Sequence, residues 1–329
     1  MRLYSNEIVF RGHPDKVCDQ ISDAILDAYL EEDKKSRVAV ETAGGKGKIF
    51  ITGEVTSHAA VDAAAVAKRV IKDVGYDPGH FLVIDNIGRQ SLDIAQGVDT
   101  GGAGDNGMMF GYACNDTPQL LPTAMVILQM FSQCYDELRQ VDTRFLPDGK
   151  AQITGIYDDD FKLQRIKTFT LCYQNLETDR PATDRLLTSK AVDICSKYGV
   201  KVDEFLVNPT GRFRVGGFDA DAGLTGRKIV VDSYHSFANV GGGAFSGKDP
   251  TKVDRSGAYK AREIAKSILQ EYELRWCEVQ LSYAIGRALP LAIYINSDKG
   301  IIEPPKELYE TCKPEAIIRD LGLLYEKYE

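Results

Sequence analysis

Cations, carboxylates and glycines crowd into one stretch, Gly241-Gly242-Gly243-Ala244-Phe245-Ser246-Gly247-Lys248-Asp249-Pro250-Thr251-Lys252-Val253-Asp254-Arg255. Glycines let backbone N–H groups close around an anion. Lysine and arginine neutralise it, and carboxylates hold a divalent metal against it. The combination asks for a metal-complexed polyphosphate. Taken alone, the glycines fit an ordinary flexible turn before a charged helix start; the lysines and aspartates that follow turn the reading toward a ligand. Gly242 to Lys248 also satisfies G-x-x-x-x-G-K, the first part of a Walker A loop. A magnesium-binding Ser or Thr should come next, but Asp249 and Pro250 do. Tyr234 to Val240 does not read as the buried strand that should lead in. The stretch is a phosphate-loop candidate of another kind.

Other turns carry similar groups. Gly12-His13-Pro14-Asp15-Lys16 stands at a helix start, where Pro14 fits the first turn and free N–H groups favour an anion. There His13 and Lys16 can donate to a phosphate and Asp15 can take a metal. Asn208-Pro209-Thr210-Gly211-Arg212-Phe213 reads as a β-turn that adds an arginine for phosphate and a ring for stacking. Asp221-Ala222-Gly223-Leu224-Thr225-Gly226-Arg227-Lys228 places adjacent cations on a glycine-flanked turn. Each is weak alone; together they suggest a nucleoside triphosphate held by several parts of the chain with metal ions. Asp15, Asp19, Asp23 and Asp27 recur every four residues, a spacing that usually marks a solvated helix face. Four like charges in a row would also welcome a cation or basic partner. Gln96 to Gly107 is too rich in glycine for a helix or strand. It is an interdomain linker or a mobile loop whose chemical groups are Asp99 and Asp105.

The helices and strands around these groups follow a repeating order. Val17, Ile21, Ala24, Ile25 and Ala28 make a helical stripe. Residues 37–42 and 48–55 read as strands joined by a Gly44–Gly47 turn, then 61–74 as a helix and 81–84 as a strand. The order returns as helix 120–138, strands 151–157 and 167–171, helix 184–198 and strand 205–207. It returns again as helix 253–272, strands 278–283 and 291–295, and a mostly helical 305–321, without a last strand. A unit used three times predicts three two-layer α+β domains around a common axis. The chain has 329 residues, enough for two or three cores, with 43% hydrophobic and 27% charged residues, as in soluble globular proteins. A net charge of −8 argues against nucleic acid and membrane surfaces as partners. No apolar run is long enough to span a bilayer, and the first residues carry no signal segment. Seven dispersed cysteines without a CxxC pair read as buried free thiols in a reducing compartment, which predicts a cytoplasmic protein.

GHPDK (12–16), GAGDNG (102–107), NPTGRF (208–213), GLTGRK (223–228) and GGGAFSGKDPTKVDR (241–255) occur in this order, and the chain closely resembles the S-adenosylmethionine synthetase family over nearly its whole length. The resemblance implies three similar α/β-sandwich domains related by a pseudo-threefold axis, here 1–103, 104–217 and a shortened 218–329. It implies synthesis of S-adenosylmethionine from ATP and L-methionine. The methionine sulfur displaces triphosphate from C5′ of ATP, and the triphosphate is hydrolysed to phosphate and diphosphate. That chemistry needs alignment and charge stabilisation, and no protein nucleophile. By resemblance, His13 contacts the triphosphate near the leaving oxygen. Asp148, Lys150, Arg212, Phe213, Asp221, Arg227, Lys228, Ala244 and Lys248 bind ATP. Of these, Lys150, Lys228 and Lys248 act with His13 and Asp105 in catalysis. Glu54, Gln96, Asp221 and Lys252 approach methionine. Asp15 and Asp254 each take one of two Mg²⁺ ions, and Glu41 takes K⁺. The family implies a homodimer or dimer of dimers with the site at the subunit interface.

This chain departs from the family pattern in places. The Gln96–Asp105 loop is shorter than in typical bacterial members, so this is a compact variant. Asn106 stands where Gln is usual, Tyr234-His235-Ser236 replaces Tyr-Gly-Gly, Phe10-Arg11 replaces Ser-Glu, and the chain after Tyr294 is short. Two other classes compete: a kinase or NTPase, against which the missing Ser/Thr and Walker B aspartate count, and a silent nucleotide-binding paralogue. Against the latter stands the full set His13, Asp15, Lys150, Lys248, Lys252 and Asp254.

Overall fold

The computed structural model describes residues 1–89, 101–176 and 179–329. Gln96 and Asp99 lie outside them. The chain opens with strand β1 (Arg2–Val9). Helix α1 (Pro14–Glu32) follows, with Pro14 in its first turn and the His13 side chain capping the Asp15 N–H. Strands β2 (Arg37–Gly45) and β3 (Lys48–Thr56) form a hairpin. Lys46 and Gly47, at φ +48° and +78°, make its two-residue turn. Helix α2 (Ala63–Val74) and strand β4 (Leu82–Gly88) complete a first unit. Alternation sets its faces. Val38, Val40, Ile49, Ile51 and Val55 pack under Val17, Ile21, Ile25, Val70 and Ile71 of the two helices.

After β5 (Gly107–Cys114), a second unit runs α3 (Thr123–Val141), β6 (Phe145–Tyr157), β7 (Leu163–Asn175), α4 (Arg180–Lys197) and β8 (Val202–Val207). A two-residue strand β9 (Gly223–Leu224) and a single turn α5 (Ile229–Asp232) lead to the third. That unit runs α6 (Val253–Glu271), β10 (Trp276–Tyr283), β11 (Ala292–Ser297), β12 (Gly300–Ile302), α7 (Lys306–Thr311) and α8 (Pro314–Asp320). The repeat legible in the sequence is therefore present, and the fold is α+β with three two-layer units, each with its own apolar core.

The sequence reading omits β1, β5, β9 and β12, and these change the topology. The sheets run β9-β2-β3-β4, β1-β6-β7-β8 and β5-β10-β11-β12. Each sheet thus borrows its first strand, antiparallel, from the segment that precedes a different unit. The exchange is cyclic, as a pseudo-threefold axis requires. In the first two units the last strand follows the second helix and pairs in parallel. In the third that strand is absent among the described residues, and β12, antiparallel to β11, takes the edge. The tail beyond α8 docks on the first unit instead. The backbone N–H groups of Tyr328 and Glu329 donate to Asp27 of α1, and the Glu329 carboxylate pairs with Arg69 of α2.

Candidate active site

One edge of β2 carries both loops of interest. At its far end β9 pairs with Ala43 and Gly44, and nearer its start residues 247–249 continue the same edge. Val40 N–H donates to the Gly247 carbonyl at 3.0 Å, and Asp249 N–H donates to the Val38 carbonyl at 3.0 Å. Asp249, the residue that fails the Walker test, is fully buried and accepts from the Val38 N–H and from Lys252 Nζ, both at 2.7 Å. It is an anchor for the loop. Helix α6 begins only at Val253, and no strand leads into Gly241, so the loop is not a Walker A loop.

Helix α1 runs alongside this edge, and its aspartates correct the expectation of a solvated face. Asp15, Asp19 and Asp23 are buried. Each accepts a backbone N–H from the loops: Leu224 to Asp15 at 2.9 Å, Gly226 to Asp19 at 2.8 Å and Gly247 to Asp23 at 2.8 Å. Asp27 continues the series with Tyr328 and Glu329. A carboxylate every helical turn meets a loop amide every turn, so the like charges are offset by donors and cations. Ser22, Thr42 and Thr225 interlock by buried hydroxyl contacts of 2.9 Å and tie α1, β2 and the 223–228 turn together.

The first chemical cluster sits at the start of α1. Lys228 Nζ donates to Asp15 Oδ2 at 2.6 Å, and Arg227 Nε lies 3.1 Å from Oδ1. Burial alone would raise the Asp15 carboxyl. The Lys228 hydrogen bond, the Leu224 N–H and the two cations outweigh it and hold the group below the usual carboxylate range. His13 Nδ1 accepts the Asp15 N–H at 3.2 Å, which leaves the ring proton on Nε2. Burial, then the Lys228 charge, lowers the imidazole from 6.5 to about 4, with Lys150 adding to the effect and Asp15 and Asp221 opposing it. His13 is therefore a neutral donor at neutral pH. Lys150, opposite Val9 in the β1–β6 register, and Asp221, after the 217–219 turn, face the same space electrostatically. Asp148 is buried and accepts the Gly217 N–H at 2.7 Å, so its carboxylate braces the loop ahead of Asp221. Arg227 and Lys228 also line a cavity of about 360 Å³ with Glu7, Asn6, Gln152 and His235. Asn6 Nδ2 and His235 Nδ1 are buried there without a hydrogen-bond partner among the described residues.

The second cluster is the glycine loop. Lys248 Nζ donates to Asp254 Oδ2 at 2.7 Å, and Gly243 N–H donates to Asp254 Oδ1 at 2.8 Å. The loop touches the first cluster through Gly226. A Cβ there would stand 2.5 Å from that of Ala244, so glycine is what lets the two loops meet. Each cluster is thus a lysine–carboxylate couple on a glycine turn, and the first has the half-exposed Arg227 beside it.

Other candidates lie around these clusters, and Ala39 has Lys248 opposite it on one side and Glu54 on the other. Glu41 and Glu54 point to the outer face of their sheet, opposite the core, in register with Thr52 and Ala39. Phe50, Leu82 and Ile84 share that face, 39%, 59% and 41% exposed. Asp105 sits in the turn that packs on the third unit, where Asn106 Oδ1 accepts the Ile285 N–H at 2.9 Å. Arg212 and Phe213 lie on the turn after β8. Its Asn208 is buried, at φ +41°, and its side chain holds both the N–H and the carbonyl of Tyr173. Among the described residues, no hydrogen bond or ion pair joins Glu41, Glu54 or Asp105 to either lysine couple. Gln96 lies outside the described residues.

Sequence reasoning missed Glu7, Asn6, Gln152 and His235. The first two belong to β1, a strand it did not assign, and nothing in their local pattern signals a cavity. All seven cysteines are unpaired, five of them buried. No described helix is long and apolar enough to cross a membrane.

Comparison with known proteins agrees with the motifs. The family model for the S-adenosylmethionine synthetase N-terminal domain matches residues 1–91, that for the central domain 100–213 and that for the C-terminal domain 215–329. S-adenosylmethionine synthase of Nocardioides sp. strain JS614 is 44% identical, over 99% of this chain and 91% of that protein. Its counterpart in Salinispora arenicola strain CNS-205 is 43% identical over the same shares. That of Synechococcus sp. strain RCC307 is 44% identical over 98% of this chain and 89% of its own. The first alignment spans 361 positions against a chain of 329, so that relative carries insertions this chain lacks.

Proposed function

The chain belongs to the S-adenosylmethionine synthetase family, and from that we propose that it is a methionine adenosyltransferase making S-adenosylmethionine from ATP and L-methionine. The sulfur lone pair forms the bond to C5′ as the C5′–O5′ bond breaks, and triphosphate leaves with the electron pair. Water then cleaves the triphosphate to phosphate and diphosphate. The observation that carries the reading is the pair of couples, Lys228–Asp15 and Lys248–Asp254, on loops hung from one strand edge. In each couple the lysine is held by a carboxylate that a phosphate can replace.

In this reading the neutral His13 donates its Nε2 proton toward the leaving oxygen. Lys150, Arg212, Arg227, Lys228 and Lys248 take up the charge that grows on the triphosphate. Asp148 and Asp221 fix the loop at the nucleoside, Phe213 stacks on the base and Ala244 borders the phosphates. Glu54, Gln96, Asp105, Asp221 and Lys252 orient methionine so that sulfur and C5′ are in line. Asp15 and Asp254 offer hard oxygen donors already matched to cations, which suits Mg²⁺ shared with phosphate oxygens, and Glu41 suits K⁺. Bound there, the ions would neutralise phosphate charge. The chain divides at 103/104 and 217/218. Glu41 and Glu54 share the outer face of the first sheet with Lys248, which lies across Ala39 from Glu54, and an exposed apolar patch beside them suits cover by a second copy in a homodimer or dimer of dimers. The unpaired thiols fit the cytoplasm.

Incubation with ATP, methionine, Mg²⁺ and K⁺ tests the reading. S-adenosylmethionine, phosphate and diphosphate should appear in equal amounts. ADP as product would point to a kinase instead, and nucleotide binding without turnover to a silent paralogue.

A further inference from the structure

Behind the glycine loop lies a buried ion pair outside the proposed substrate-binding set. Arg255, 3% exposed, donates through Nη1 and Nη2 to the two Asp23 oxygens at 2.8 and 2.7 Å. Its Nε donates to the Tyr259 hydroxyl at 3.0 Å, and Nη1 also donates to the Lys248 carbonyl at 3.0 Å. Asp23 in turn accepts the Gly247 N–H. The Gly247–Lys248 backbone is therefore gripped at three points: by Asp23, by Arg255 and by the Val40 N–H on the Gly247 carbonyl. The last wall of this chamber comes from the far end of the chain. The Tyr328 ring covers the guanidinium at 4.3 Å. Its own backbone is pinned to Asp27, one turn beyond Asp23, and its hydroxyl to the Leu323 carbonyl at 2.5 Å.

We infer that the 325–329 tail is a latch, with Tyr328 as a positioning residue that keeps water from the Asp23–Arg255 pair and so fixes Lys248 for turnover. A guanidinium shared between a carboxylate and a carbonyl holds its geometry only while it is dry, because water competes for the same donors. The ring supplies dryness and a cation–π contact at once. Opening it would let Arg255 relax and Lys248 drift while the other substrate-contacting groups stay in place. The cost should therefore fall on kcat more than on KM.

The inference rests on the proposed activity, and its test separates the two. Tyr328→Ala should lower kcat about tenfold, the scale of a misplaced charge, with KM for ATP and methionine within about twofold. Tyr328→Phe, which keeps the ring, should restore kcat. Amide hydrogen exchange should quicken in residues 243–250 of Tyr328→Ala and not across the chain. Equal turnover in Tyr328→Ala and the unaltered protein overturns the latch. So does an equal loss in Tyr328→Phe, or exchange that rises everywhere. If the unaltered protein makes no S-adenosylmethionine, the activity reading fails, and the exchange measurement still decides the latch.

Discussion

Lys228 and Lys248 each rest on a carboxylate at 2.6 and 2.7 Å, which keeps long side chains ordered before any phosphate arrives. Lys248→Ala should lower kcat by ~10²–10³, the scale of one lost transition-state contact. Steady-state kinetics would show it, and an unchanged kcat removes Lys248 from the mechanism. His13 and His235 belong to the same scale. Burial lowers both to about 4, so the unfolded chain binds protons below 6.5 that the folded chain refuses until about 4. Stability contributed by the neutral rings is present above 6.5 and is lost as pH falls through that window. His235 sits at φ +54°, which asparagine tolerates. His235→Asn should therefore unfold in urea with a midpoint that declines less than that of the unaltered protein between pH 6.5 and 4, by roughly 3 kcal/mol at most. Parallel profiles would refute this. Residue types make His13, Asp15, Lys228 and Lys248 legible as a set. Their partners are not, because a lysine's choice of carboxylate is fixed by which loops the fold brings together.

The element that matters most is the β2 edge with α1 beside it. Gly247, at φ +80°, threads between them, and a Cβ there would stand 1.9 Å from the Val40 carbonyl oxygen. Gly247→Ala combines left-handed strain with a clash against backbone. It should cost more than about 2 kcal/mol and abolish turnover. Gly199, at φ +68° with nothing within 4 Å of its Cβ, is the control. Gly199→Ala should cost only about 1 kcal/mol and leave kcat intact. Thermal melts and kinetics on the two variants check this, and similar behaviour in both would show the threading to be unimportant. The spacing of Asp15, Asp19, Asp23 and Asp27 is plain in the sequence, yet its purpose is not. The groups it serves are amides of Leu224, Gly226 and Gly247, and a backbone N–H leaves no mark on residue type. The long helices and central hairpins are legible for the opposite reason, since their apolar periodicity is written in side chains.

At the scale of the molecule, the outer face with Phe50, Leu82, Ile84, Glu41 and Glu54 is what a second copy would cover. Sedimentation should report at least a dimer. Leu82→Glu should give monomers with turnover lost, although both lysine couples stay intact within each chain. Active monomers would sink the shared-site reading. The threefold repetition is legible from the order of elements, but the cyclic exchange of strands is not. β9 has two residues, and β1 and β5 lie outside the repeated pattern, so neither periodicity nor order says where they pair. That exchange governs how the chain must be made. The hairpin of the first unit waits for residues 223–224, that of the second uses residues 2–9 synthesised far earlier, and that of the third needs 107–114. As the chain emerges from the ribosome, the first sheet cannot close until most of the protein has been translated. Its bare edge must stay out of wrong pairings all that while, and its long-range closure makes folding slow. The strand edge that holds the loops for chemistry is thus also where the nascent chain is most exposed to misassembly.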